Sequence, residues 1–336
     1  MLITLDTNLI PRKGILRSVE ISTILRIASA LGARVALAQT VLAESISARR
    51  RDVQEAMDAH SRTVQKLGNF CNIDSYYIPP VNSVVDDWEA QLRSAFEVLP
   101  LSGDDAIEAL EREALRIKPS KSNGTGARDA AIWLTIKRAH LATTGPTHFA
   151  SNNTDDFAIR KGSEKLHPDL AQELGERLGD FTYHKDLKSI IRTLCSEVEV
   201  LISVASFPEE LSLSIIDQIV AHNDLKNFAD FVDVSPDEVG PIEKITLDSL
   251  RVRSAYSAGG VVVGFLTAKF TLALAGEVHE TLGTAISGSL GGWFEMGNEG
   301  VAFFDITVLK GVRYERPWGP EEDAFDEIDT AHPGTG

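Results

Sequence analysis

The chain opens on a short apolar run that ends in an acid, Leu2-Ile3-Thr4-Leu5-Asp6, with Thr7 and Asn8 directly after it. Such a run reads as a buried strand, which puts Asp6 at its C-terminal end. Residues 18–30 then carry Val19, Ile21, Ile24, Leu25, Ile27 and Ala28 at helical spacing, and Gly32 ends that helix. Arg34–Ala38 reads as a second short strand, and Gln39 begins a helical pattern that runs to about Leu67. Further helices are predicted over residues 86–99, 104–116 and 127–139, and Thr147–Ala150 is a third strand candidate. This alternation predicts an α/β fold, a parallel sheet flanked by helices. In open sheets of that kind, ligands bind outside the carboxyl ends of the strands.

Acids recur where that edge is expected. Glu44 lies in Val41-Leu42-Ala43-Glu44, Asp129 in Gly126-Ala127-Arg128-Asp129, and the pair Asp155-Asp156 precedes Phe157. Each alone has a plain explanation as a turn, a cap or a solvated helix face. Together, carboxylates converging from distant segments suit a hard divalent cation such as Mg²⁺ or Mn²⁺, which prefers oxygen ligands. Basic residues sit beside every acidic motif. Arg49, Arg50 and Arg51 follow Glu44; Lys118, Lys121 and Arg128 precede Asp129; Arg160, Lys161 and Lys165 follow Asp156.

Composition bounds the rest. With 336 residues, 43% of them hydrophobic, the chain can bury a core in one large or two ordinary domains. It has no uninterrupted apolar run long enough to span a membrane and no signal-peptide pattern at its start. Two cysteines, Cys71 and Cys195, fit a reducing cytoplasm rather than a disulfide framework. The net charge of −16 runs against a protein that holds nucleic acid by neutralising phosphate. Seven acids against Arg316 alone lie between Glu315 and Gly336, which leaves the remainder at about −10. Local field outweighs net charge once a metal is bound. Phosphate-loop, zinc and Ser or Cys nucleophile signatures are absent. An aspartyl phosphatase would need a second acid where Asn8 stands.

Beyond residue 180 the character changes. Residues 186–204 and 211–231 read as mainly helical, and residues 240–316 become strand-like and glycine-rich, with turns at Gly259-Gly260, Gly291-Gly292 and Gly297-Asn298. The expected organisation is a metal-site domain over 1–190, a helical connector over 191–239, a small antiparallel β domain over 240–316 and an acidic disordered tail over 317–336. The acid count of the tail motivates the hypothesis that it mimics nucleic acid and damps activity; binding and activity both unchanged after deletion of residues 317–336 would sink it.

Four segments in order, Leu5-Asp6-Thr7-Asn8, Val41 to Glu44, Gly126 to Trp133 and Phe149 to Phe157, resemble the PIN-domain ribonucleases. In particular they resemble the longer branch with a Gly-x-Arg-Asp-Ala-x-Ile-Trp motif, and the match covers roughly residues 1–190. The resemblance implies a PIN-like parallel sheet and an endoribonuclease that hydrolyses phosphodiester bonds with Mg²⁺ or Mn²⁺. Asp6, Glu44 and Asp129 would then be metal ligands, supported by Thr7, Asn8 and Ser151. The fourth acidic place departs from the pattern: it is Asn153, so Asp156 or Asp155 supplies the last charge or Asn153 holds a water. Arg128, Lys121 and Arg51 would hold RNA. Toxin–antitoxin modules occur in this superfamily, so an antitoxin or other protein partner and a homo-oligomer are further implied possibilities. The alternative is a degenerate PIN fold that binds RNA or a partner without catalysis.

Overall fold

The structure is a computed structural model that describes residues 1–12, 18–71, 78–207, 242–274, 286–297 and 300–314. The helix expected over 211–231 and the tail 317–336 lie outside the described residues.

Strand β1 (Leu2–Leu5) is fully buried and leads through a single 3₁₀ turn toward helix α1 (Val19–Ala30), which Ser18 caps by accepting from Ile21 N. Strand β2 (Arg34–Ala38) runs straight into the long helix α2 (Gln39–Leu67). Helix α3 (Val81–Ala95) ends at strand β3 (Glu97–Leu99), followed by helix α4 (Gly103–Leu115) and helix α5 (Ala127–Ala142). Strand β4 (Thr147–Ala150), the short helices α6 (Thr154–Phe157) and α7 (Pro168–Gln172), strand β5 (Phe181–His184) and helix α8 (Leu187–Leu194) complete this half. The five strands form one parallel sheet in the order β3-β2-β1-β4-β5.

Helix α5 shows how the core is built. It buries Ala130 through Ile136 without interruption, so it is covered on several sides rather than presenting one apolar stripe. Trp133 meets Phe181 edge-on with centroids 5.8 Å apart, and Phe149 packs against Phe157 at 5.1 Å. A helix that precedes a parallel strand runs against it, so the N-terminus of α5 reaches the carboxyl edge of the sheet. Asp129 therefore arrives at the same edge as Asp6.

Three sequence expectations need correction. Gly291-Gly292, expected as a turn, lies inside the strand that spans Ile286–Gly297. Residues 97–99 extend into strand β3 instead of continuing the helix predicted over 86–99. The helix expected over 186–204 stops at Leu194, and strand β6 (Ser196–Glu197) pairs with distant residues, Ser196 against Ser257 and Glu197 against Tyr256. Strand β5 was not anticipated at all.

Beyond these, β6 and the strands β7 (Ile242–Ala258), β8 (Val261–Leu274), β9 (Ile286–Gly297) and β10 (Gly300–Tyr314) form an antiparallel sheet in the order β10-β9-β8-β7-β6. Two compact units result, one of Met1–Val198 with Tyr256–Val263, the other of Glu199–Ala255 with Gly264–Gly336. In the second unit Phe270, Leu266, Leu290 and Phe294 are fully buried. Gly288 lies so near the Phe270 ring that an added Cβ would stand 2.4 Å from it. Among the described residues, no helix is long and apolar enough to cross a membrane.

Candidate active site

The last residue of β1 delivers Asp6 to a crowded place. Its Oδ2 accepts from Ser151 Oγ at 2.5 Å and from Asn8 Nδ2 at 3.0 Å, while Oδ1 accepts from Thr7 N at 2.7 Å. Asp6 is buried, and burial raises its pKa against the opposing pull of these donors. Ser151 is itself fixed from several sides. Its amide donates to His184 O at 2.9 Å, its carbonyl accepts from Tyr183 Oη at 2.6 Å, and its Oγ also accepts from Asn153 N at 3.0 Å. No sequence pattern marks Tyr183, whose hydroxyl is pushed up in pKa by burial and then by Asp6.

Glu44 lies in the second turn of α2, half-buried rather than solvated. Thr7 Oγ1 donates to its Oε2 at 2.6 Å, and Arg128 pairs with its Oε1 at 2.6 Å. Thr7 thus ties the end of β1 to α2, and Arg128 ties α2 to α5. Arg128 is 78% exposed along its side chain, so this ion pair contributes little to stability and can exchange readily.

Asp129 sits in the first turn of α5. Burial is the largest influence on it, followed by the charges of Asp6 and Asp156, and together they push its pKa up to about 6. Lys121 opposes the shift and Glu44 adds to it. Asn153 bridges two acids: its Nδ2 donates to Asp156 Oδ2 at 2.6 Å and to Asp129 Oδ1 at 3.3 Å. Asp156 is buried at the last turn of α6 and also faces Lys121 Nζ at 3.4 Å. Asp155 is exposed, and it is its backbone carbonyl that accepts, from Lys118 Nζ at 3.0 Å.

The loop that carries Lys121 is held in place. Lys121 N donates to Thr125 O at 2.7 Å, and Gly126 closes the loop at φ +129° with Ser120 so near that an added Cβ would stand 2.8 Å from Ser120 Cα. Only glycine suits that combination. The start of α5 is capped from α4, where Glu113 Oε2 accepts from Ala127 N at 2.7 Å. Behind it, Glu173 gathers Arg112 at 2.8 Å, Lys137 at 3.0 Å and Trp133 Nε1 at 3.1 Å, while Arg112 also donates to Lys118 O at 3.0 Å.

The site predicted from sequence is therefore largely one place. Asp6, Thr7, Asn8, Glu44, Lys121, Arg128, Asp129, Ser151, Asn153 and Asp156 are linked by the contacts above. Arg51 stands apart, two turns along α2 from Glu44 on the same face, roughly 10 Å away by helical rise, and donates to Ser47 Oγ at 3.0 Å. Of its neighbours, Arg49 stacks over the Trp88 ring at 4.1 Å and Arg50 donates to Asn82 Oδ1 at 2.6 Å.

The donor set suits a hard divalent cation: carboxylate oxygens whose mutual repulsion a positive charge would relieve. As the side chains stand, no group of three or more His, Cys, Asp or Glu among the described residues is arranged to hold a metal ion. Glu44 faces Arg128 and Asp156 faces Lys121, so both would have to exchange a cationic side chain for the ion.

Residues 3–157 match a family described as PIN domain. No curated protein and no solved structure matches the chain.

Proposed function

With residues 3–157 a PIN domain, and hence a nuclease-type fold, as the premise, we propose that this chain is a metal-dependent endoribonuclease acting through the carboxylates at the edge of its parallel sheet. The observation that carries the reading is the convergence of Asp6, Glu44, Asp129 and Asp156, with burial and mutual repulsion pushing Asp129 up to about 6. Acids brought together at such a cost are candidate functional groups.

Asp6, Glu44, Asp129 and Asp156 would hold Mg²⁺ or Mn²⁺. When bound, such an ion supplies Lewis acidity toward the phosphodiester and offsets its negative charge. The protein's own groups do the rest. Ser151, Thr7 and Asn8 fix the rotamer of Asp6 and orient Glu44, so these oxygens need little reorganisation. Asn153 donates to Asp129 and Asp156 together and holds them as a pair, a role in positioning rather than in charge. Arg128, freed from Glu44, can reach outward to a backbone phosphate, and Lys121 can do so from the rim of Asp156. Asp129 must be ionised to hold the ion, so proton and metal compete for it, and the apparent metal affinity should weaken as the pH drops through about 6.

The test is cleavage of RNA by purified wild type and Asp129→Asn in Mn²⁺, Mg²⁺ and EDTA. Metal-dependent cleavage lost by at least about 100-fold in the variant is the expected result. Equal cleavage by the variant, or cleavage that survives EDTA, would overturn the assignment. A folded wild type inert on several RNAs would favour the non-catalytic reading, in which Asn153 replaces a needed acid.

A further inference from the structure

A second charged feature lies along the same sheet edge, on the β5 side. After Phe157 the chain turns back on itself: Ile159 N donates to Lys165 O at 2.9 Å, Ser163 N to Arg160 O at 3.0 Å, and Ala158 bridges Leu166 antiparallel. Gly162 occupies φ +75°, and its amide donates to the Oγ1 of buried Thr154 at 2.9 Å. This tight loop is thereby pinned to α6, the turn that carries Asp156. With Lys185, the residue after β5, it lines a cleft of about 520 Å³.

The cleft presents Arg160, Lys165 and Lys185 against the single acid Glu164. Glu164 pairs with Lys185 at 3.0 Å, and among the described residues neither Arg160 nor Lys165 is in an ion pair. Asp186, the residue after Lys185, is the cap of α8, accepting from Ser189 N at 2.7 Å. The net positive balance sits in a chain of net charge −16.

We propose that Arg160, Lys165 and Lys185 form a docking site for backbone phosphates of the RNA strand that flanks the bond to be cut; the inference rests on the ribonuclease reading. The physical need is plain. Asp6, Glu44, Asp129 and Asp156 repel a polyanion, so a strand crossing them requires neutralisation on either side. Strand order supplies the geometry. Asp6 follows β1 and Asp156 lies beyond β4, while Lys185 follows β5, one strand spacing of roughly 5 Å further along. The cations are mounted on a loop closed by its own backbone hydrogen bonds, so little ordering is needed on binding. Glu164 acts as the resident anion that a phosphate displaces from Lys185.

The test uses the full chain carrying Asp129→Asn, so that RNA stays intact, with fluorescence anisotropy on a ~20-nucleotide single strand across a salt series. Adding Arg160→Ala and Lys165→Ala should weaken binding about 10-fold at low salt and flatten the salt slope by roughly 1 to 2. Glu164→Gln should tighten binding by about 2-fold or more, because the competing carboxylate is gone. Thermal unfolding confirms that each variant is folded. Unchanged affinity and slope in the double variant would overturn the proposal and identify these residues as solvated surface cations. Absence of any RNA binding by the folded protein would overturn it too. The wild-type cleavage assay keeps the two readings apart: cleavage with an unaffected double variant removes only the docking site, whereas binding that depends on Arg160 and Lys165 without cleavage removes only the catalytic reading.

Discussion

Asp129 keeps its proton up to about pH 6 in the folded chain, against an ordinary value of 3.8, because burial and then the charges of Asp6 and Asp156 disfavour the carboxylate. Between those values the folded state binds more protons than the unfolded state. The metal-free fold therefore loses stability as the pH rises through that window, and the loss is complete above about 6. Asp129→Asn removes the charge but keeps the shape. In EDTA at pH 7 it should raise stability by about 1–3 kcal/mol, and the gain should vanish near pH 3, below the ordinary value of 3.8, where wild type is protonated in both states. Urea unfolding at the two pH values checks this; a destabilised variant at pH 7 would show that Asp129 is not strained by its neighbours. Local sequence placed Asp6 at a strand end and Asp129 in a first helical turn. It left open what Asn153 does, because the answer depends on Asp129 and Asp156 standing on either side of one amide.

At the scale of elements, the loop before α5 decides how Asp129 and Lys121 meet the acids. Gly126 combines φ +129° with a close approach to Ser120, so Gly126→Ala should destabilise the fold by about 1–3 kcal/mol through backbone strain, with the clash adding to it. On the proposed metal-site reading the same variant should also weaken Mn²⁺ binding, since moving Gly126 moves both Asp129 and the Lys121 loop. Calorimetric titration with Mn²⁺ beside thermal unfolding measures the two effects, and a variant as stable as wild type would refute the constraint. Elements were legible where periodicity was sustained: the long helix was expected from Gln39 to about Leu67 and is α2. They were not where a short strand followed a helix. Val85, Trp88 and Leu92 keep a helical rhythm that Phe96 and Leu99 happen to continue, and only pairing with β2 reveals residues 97–99 as extended.

For the whole molecule, Tyr256–Val263, the hairpin tip between β7 and β8, belongs to the compact unit that holds the acids. Ala258 is buried in that unit's core, and Gly259, at φ +59°, lies so near Ala30 that an added Cβ would stand 2.6 Å from its carbonyl oxygen. Gly259→Ala should therefore lower the stability of the first unit in the full chain by about 1–3 kcal/mol. A fragment of residues 1–198 lacks the tip and should be less stable than the same unit in the full chain, by chemical denaturation; equal stability would show that the tip contributes nothing. By itself the sequence determined what neighbours in the chain can decide: strand and helix periods, and acids placed just after apolar runs. Those features follow from backbone preference and the burial of one face, which act over a few residues. Tertiary structure alone decided that Thr7 holds Glu44, that Tyr183 holds Ser151, that Asn153 spans two carboxylates and that residues 256–263 complete the first unit. Such partners are set by which surfaces must leave water together, and separation along the chain carries no record of that.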